Sequence, residues 1–261
     1  MQTELQGFRL SPQQEYLWQL QQQNADRPYL AQCAISISGS LDIPTLKAAL
    51  ELVVSRHEIL RTTFKCLPGM TIPLQVITDR PFTWNYNNEL SPNAAQDRTT
   101  EWEALLKPEY PLVSASADRS PLVCSLVAHA ADRFVLSVST LALCADAATL
   151  QNLVREIGQS YEACLQGRSL QDEPLQYADL AQWQHQLLEE AEPDQKNWDL
   201  KTLSELARSL KLPGEQTSAD AAAFDPQTYA ISLKPELAAQ IAAFAQQREI
   251  SMETVFLAVW Q

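Results

Sequence analysis

The hydrophobic and polar positions of the chain follow two different spacings, which together predict a protein that combines helices with strands. Apolar residues recur every three or four positions in 41–55 and in 150–166, as in amphipathic helices. Residues 31–38 alternate between apolar and polar, as a half-buried strand does. The apolar runs 121–129 and 134–143 are separated by four residues, which favours a β-hairpin, and the second run is typical of a strand covered on both faces.

Start and stop signals predict the remaining elements. Ser11 is the expected N-cap of an opening helix, with Pro12 in its first position and Gln14 as the capping-box partner. Asp42 or the turn before it supplies the cap of the helix in 41–55. The other expected elements are short strands at 74–77 and 228–233, helices at 99–106, 176–188, 235–247 and 251–261, and a loop at 85–98.

Composition and charge narrow the possible functions. The chain has 261 residues and a net charge of −13, which argues against nucleic acid or an anionic membrane as a partner. It contains no apolar run of membrane-spanning length, and its first residues lack the features of a signal peptide. Five cysteines without CxxC spacing, and three histidines without a zinc-ligand pattern, predict no metal site and reduced thiols in a cytoplasmic protein.

The candidate chemistry lies where the strand in 134–143 leads into the helix in 150–166. Asp146 stands at this junction, and a carboxylate between two apolar elements is costly to bury unless it is paired. Thr149 is an alternative N-cap for the helix, which would leave Asp146 as a turn residue. Cys144 is a possible nucleophile, although no histidine is close to it in sequence.

Several segments in order resemble the condensation domains of nonribosomal peptide synthetases. They are Leu-Ser-Pro-Gln-Gln-Glu-Tyr-Leu-Trp at 10–18, Ser-Gly-Ser-Leu-Asp at 38–42, Arg-His-Glu-Ile-Leu-Arg-Thr-Thr-Phe at 56–64, Tyr-Ala-Asp-Leu-Ala-Gln-Trp at 177–183, and the stretch from 233 to 261.

The resemblance implies an α+β fold with two lobes similar to chloramphenicol acetyltransferase, each built on a mixed sheet flanked by helices. Residues 1–175 are then the N-terminal lobe, 176–223 a connecting helix and linker, and 224–261 the beginning of a truncated second lobe. It also implies peptidyl carrier proteins and adjacent synthetase domains as partners. No bound cofactor is expected, only the 4'-phosphopantetheine arms of those carriers, which would enter a tunnel between the lobes.

The chain departs from the family at the junction that contains Asp146. Family members carry His-His-x-x-x-Asp-Gly there, with the second histidine as general base or positioning group. This chain has Leu141 and Ala142 in place of the two histidines and keeps only Asp146. The heterocyclization variant, with two aspartates, also fails because Leu141 stands at the first position. By resemblance, Asp146 is a structural residue and Arg61 is its ion-pair partner.

These observations leave several hypotheses open. The first is a condensation-like domain without standard catalysis that acts as a scaffold or recruits carrier proteins. The second is an active enzyme that joins a carrier-bound thioester to an amine with non-standard residues around Asp146, among them Cys144. The third is a free-standing acyl-CoA transferase, a group that also needs its histidine. His57 and His129 are poor replacements for the missing base, since one lies in a structural motif and the other across the hairpin.

Overall fold

The computed structural model describes residues 7–23, 29–88, 121–170, 172–190 and 231–260. A 3₁₀ turn also lies within these ranges, between the second helix and the second strand. The elements in chain order are α1 (Pro12–Gln23), β1 (Leu30–Ser38), α2 (Ile43–Arg56), the 3₁₀ turn (Glu58–Arg61), β2 (Thr62–Lys65), β3 (Leu74–Ile77), β4 (Thr83–Asn87), β5 (Leu122–Ala130), β6 (Arg133–Leu141), α3 (Ala147–Leu165), α4 (Tyr177–Glu190), α5 (Pro235–Gln247) and α6 (Met252–Trp260).

A mixed sheet with the strand order β1-β6-β5-β4 forms the centre of the N-terminal part of the chain. Strand β6 is antiparallel to both of its neighbours, and it pairs Leu141 with Leu30 of β1. Strand β4 runs parallel to β5, which makes the sheet mixed as predicted. Strands β2 and β3 form a separate antiparallel pair.

The main core lies between the sheet and the helices α2 and α3. Along β5, alternate residues from Leu122 to Ala128 are buried, as expected for a strand with one face on this core. In β6 every residue from Phe134 to Leu141 is buried, which confirms the strand predicted to be covered on both faces. A smaller cluster at the end of β6 includes Leu10, Trp18, Phe64, Leu141, Leu143 and Cys144.

Local signals correctly predicted the start of two helices. Helix α1 has a reciprocal capping box: the backbone N–H of Gln14 donates to Ser11 Oγ at 3.2 Å, and the backbone N–H of Ser11 donates to Gln14 Oε1 at 2.9 Å. At α2, the Thr45 N–H donates to Asp42 Oδ1 at 2.8 Å. These bonds satisfy donors that the first turn of a helix leaves without a partner.

The loop predicted for 85–98 is wrong at its beginning, because β4 extends through Asn87. Polar residues there suggested a loop, but pairing with β5 supplies their backbone hydrogen bonds, a long-range effect that local composition does not reveal. The rest of that loop and the helix predicted at 99–106 lie outside the described residues. Residues 228–230 of the strand predicted at 228–233 also lie outside the described residues, and the described residues 231–233 form no strand.

The chain divides into two compact units, Met1–Glu215 and Gln216–Gln261. The division falls inside the segment 176–223 that was predicted to connect two lobes. In the second unit, α5 and α6 are described, and α6 begins with a serine cap, since the Thr254 N–H donates to Ser251 Oγ at 3.2 Å. Within the described ranges, no helix combines the length and apolar character needed to cross a membrane.

Candidate functional site

The motif positions lie on a hydrogen-bonded turn that joins β6 to α3. Leu141 is the last residue of β6 and is buried, while Ala142 is half-buried. The Ala142 N–H donates to Tyr29 O at 2.8 Å, and the N–H groups of Cys144 and Ala145 donate to Leu141 O at 2.8 and 3.2 Å. The backbone of this segment, residues 141–146 and hereafter the motif turn, is therefore fixed although both histidines are missing.

Asp146 is the N-cap of α3. Its Oδ1 accepts hydrogen bonds from the Thr149 N–H at 2.8 Å and the Thr149 hydroxyl at 2.7 Å. These bonds lower the pKa of the Asp146 carboxyl from its ordinary value. Thr149, the alternative cap in the sequence, is instead the donor inside the first turn. A carboxylate with a lowered pKa is a weak proton acceptor at neutral pH.

The cap predicts a modest structural cost when Asp146 is replaced. We expect Asp146→Ala to reduce the free energy of unfolding by about 1 kcal/mol, because the Thr149 N–H loses its acceptor. Asp146→Asn should retain most of that stability, since asparagine is a good N-cap. Urea titration of the three proteins checks this, and equal losses in both variants would contradict a capping role.

Arg61 forms its ion pairs with residues outside the motif turn. Its guanidinium contacts Asp79 Oδ1 at 3.0 Å and Glu58 Oε1 at 3.5 Å, and it donates to Thr78 O at 3.3 Å. Within the described residues, no ion pair joins Arg61 to Asp146, unlike the pairing implied by the family resemblance. The 3₁₀ turn leads Arg61 straight into β2, whose partner β3 ends next to Thr78 and Asp79, and so sets these contacts.

Neither histidine considered as a replacement base is placed at the motif turn. His57 Nε2 lies 2.6 Å from Glu156 Oε2. His129 lies at the hairpin end of β5, because the register pairs Ala128 with Phe134, at the opposite end of β6 from the motif turn. At a rise of roughly 3.3 Å per residue, that is about 20 Å away.

Glu156 on α3 forms a half-buried cluster with the end of α2. Arg56 Nε donates to Glu156 Oε1 at 2.9 Å, and His57 contacts the other carboxylate oxygen. Burial acts to raise the pKa of Glu156, but the hydrogen bonds from Arg56 and His57 outweigh it, so the pKa is lowered. No local pattern predicts this contact, since the partners are about a hundred positions apart.

The lowered pKa of Glu156 gives stability a pH dependence. The ionised carboxylate favours the folded state above its ordinary pKa of 4.5, and this contribution is lost as the pH falls below that value. We expect Glu156→Gln to cost about 2 kcal/mol at pH 7 and much less in acid. Unfolding at both pH values checks this, with the exposed Glu51→Gln as control; a difference that stays constant with pH would contradict it.

Cys144 is not suited to act as a nucleophile. Its side chain lies in the smaller core cluster, and burial raises the pKa of the thiol to about 12. A thiol with this pKa holds almost no thiolate at neutral pH. Over the ranges that the structure describes, no group of three or more His, Cys, Asp and Glu residues could hold a metal ion.

Two buried glutamines, which sequence reasoning did not connect, hold the motif turn in place. Gln14 Nε2 donates to Leu143 O at 2.9 Å and to Gln75 Oε1 at 3.2 Å. Gln75 Nε2 in turn donates to Arg9 O at 2.8 Å. The capping box identified Gln14 from the sequence, but its reach to Leu143 depends on the tertiary fold. For Gln75, the sequence showed only a polar residue in a short predicted strand, and no pattern predicted its contact with Gln14.

Comparisons with known proteins agree with this fold. The family model described as "Condensation domain" matches residues 5–261. A dimodular nonribosomal peptide synthase of Bacillus subtilis (strain 168) is 30% identical over 252 residues, which are 93% of this chain and 10% of that protein. The probable non-canonical nonribosomal peptide synthetase CymA of Salinispora arenicola (strain CNS-205) is 32% identical over 222 residues, which are 82% of this chain and 3% of that protein. The chain thus spans a tenth or less of these relatives.

Solved structures show the same architecture. The X-domain in complex with OxyB from teicoplanin biosynthesis is 29% identical, with a TM-score of 0.57 over 72% of this chain and 40% of that one. SgcC5 from Streptomyces globisporus, at 24% identity, shares the fold with a TM-score of 0.69 over 97% of this chain and 58% of its own. The expected α+β fold, a mixed sheet flanked by helices, is confirmed. With the family match over nearly the whole length, the chain belongs to the condensation-domain family.

Proposed function

We propose that this chain is part of a condensation-like domain of a nonribosomal peptide synthetase that lacks standard peptide-bond formation and serves as a scaffold or recruits carrier proteins. The observation that carries the proposal is the motif turn. It keeps an ordered backbone but presents Leu141 and Ala142, whose side chains cannot accept a proton.

The chemistry explains why this replacement matters. Amide formation from an amine and a thioester requires removal of a proton, and a positioned base typically contributes about 10²- to 10⁴-fold. The alternative, an active acyltransferase centred on Asp146, would require a carboxylate that is already bonded to Thr149 and has a lowered pKa. Cys144 offers it no help, because its thiol is buried and protonated.

The relatives support recruitment as the retained role. The teicoplanin X-domain, at 29% identity, has been solved in complex with another protein, OxyB. For this chain we propose carrier proteins bearing phosphopantetheine arms, and adjacent synthetase domains, as partners. The five cysteines all carry free thiols, consistent with the cytoplasmic location that we propose.

Recruitment and catalysis are tested together in the full-length protein. We expect it to bind its own substrate-loaded carrier proteins, and to bind them as tightly after Asp146→Ala, because that residue caps a helix and does not act on substrate. Carriers without the phosphopantetheine arm serve as control. Binding measured by fluorescence anisotropy, alongside product detection by mass spectrometry, checks the proposal. Failure to bind any loaded carrier would contradict recruitment of carrier proteins.

A further inference from the structure

An open groove of about 950 Å³ lies on the first unit. None of its lining residues belongs to the motif turn. It is formed by the end of α2, the 3₁₀ turn, the loop between α3 and α4, and the first turn of α4. Part of its lining is apolar, from Leu52, Leu170, Pro174 and Leu175. Leu175 is 75% exposed, so this apolar side chain is open to contact with a partner.

The rest of the lining is acidic. Four carboxylates line the groove: Glu58, Asp172, Glu173 and Asp179. Within the described residues, the last three form no ion pair.

The two arginines in the lining form no ion pair with Asp172, Glu173 or Asp179. Arg56 pairs with Glu156, and Arg61 divides its contacts between Glu58 and Asp79. The groove therefore combines uncovered apolar surface with a negative potential.

A single glutamine fixes the shape of the groove. Gln176 Nε2 donates to Arg56 O at 2.9 Å and to Pro174 O at 3.1 Å, and its Oε1 accepts from the Glu58 N–H at 3.0 Å. The loop between α3 and α4, which carries Asp172 and Glu173, is thereby bonded to both the end of α2 and the 3₁₀ turn. A binding surface that is already ordered loses little conformational entropy when a partner binds.

We propose that this groove is a docking surface for a segment of a partner protein in which Lys or Arg residues flank apolar side chains. The inference rests on the proposed recruitment function and adds to it the surface and the chemistry of the partner. Apolar side chains of the partner would cover Leu175 and the leucines beside it. Its cations would meet Asp172, Glu173 and Asp179, which favours rapid and salt-sensitive association.

The test uses the full-length protein and a defined probe, a fluorescent peptide with lysine and leucine in a helical repeat. We expect it to bind, and binding to weaken by about tenfold in Asp172→Lys with Glu173→Lys. The matched control is Asp132→Lys with Glu51→Lys, which changes the net charge equally at exposed positions outside the groove. Leu175→Ser should also weaken binding. Leu188→Ser should not, because Leu188 is an exposed leucine that does not line the groove.

Several outcomes would overturn the inference. They are absence of binding, equal weakening in both charge-reversed proteins, equal affinity for a glutamate analogue of the peptide, or full competition by spermidine, which would indicate a site for small cations. Thermal unfolding checks that each variant is folded. If the peptide binds as expected but wild type forms amide product, the docking surface stands and the proposed loss of catalysis fails; the reverse pattern removes only the docking surface.

Discussion

Replacing Ala142 with histidine in the full-length protein should raise the single-turnover rate of amide formation by about 100-fold over wild type. Ala142 occupies the position of the second histidine in the family motif, and its backbone is fixed by the bond from its N–H to Tyr29 O. Since Ala142 is half-buried and not enclosed in the core, an imidazole can be added with little disturbance. The variant would therefore supply the missing proton acceptor on an ordered turn.

Ala142→Gln is the matched control for this gain, because it adds a polar side chain of similar size that cannot act as a base near neutral pH. The rate in Ala142→His should also rise with pH as the imidazole loses its proton, near an ordinary histidine pKa of about 6.5. An equal gain in Ala142→Gln, or no gain in Ala142→His, would contradict the view that the missing imidazole limits the reaction.

Gln14→Ala should lower the free energy of unfolding by about 3 kcal/mol, the largest stability effect expected from a single polar side chain described here. The substitution removes the donor to Leu143 O and Gln75 Oε1, and also the acceptor of the Ser11 N–H. Gln14 is 2% exposed, so water cannot easily replace these bonds.

Gln13→Ala provides a close control for Gln14→Ala. Gln13 is the neighbouring glutamine in the same helix turn, has the same helix propensity and is exposed. Urea titration should show a loss confined to Gln14→Ala. Equal midpoints for the two variants would mean that the amide bonds to the motif turn contribute little to stability.

The features that the sequence predicted are those governed by neighbouring residues. Ser11, Gln14 and Asp42 act at their own helix starts, so short-range patterns identified them. The β5–β6 hairpin followed from two apolar runs and a short connection. At the helix starts, the groups that satisfy the backbone lie within a few positions, and the two hairpin strands follow each other directly in the chain.

The features that the sequence could not predict depend on distant partners. Strand β4 is paired with residues about 40 positions later in the chain. Arg61 contacts Asp79 and not Asp146, and Glu156 joins the end of α2, and no local pattern encodes either contact. At the motif turn, the sequence showed which side chains are missing. Only the structure gives the state of those that remain: Asp146 bonded to Thr149, and Cys144 buried.

The most direct test of the central claim is a single-turnover condensation assay on the wild-type full-length protein. Donor and acceptor would be loaded on its own carrier proteins, and product followed by mass spectrometry. We expect no amide product above the rate of the carriers alone, with binding of the loaded carriers retained. Robust product from wild type would contradict the account, and its loss in Asp146→Ala would then assign the reaction to the remaining carboxylate.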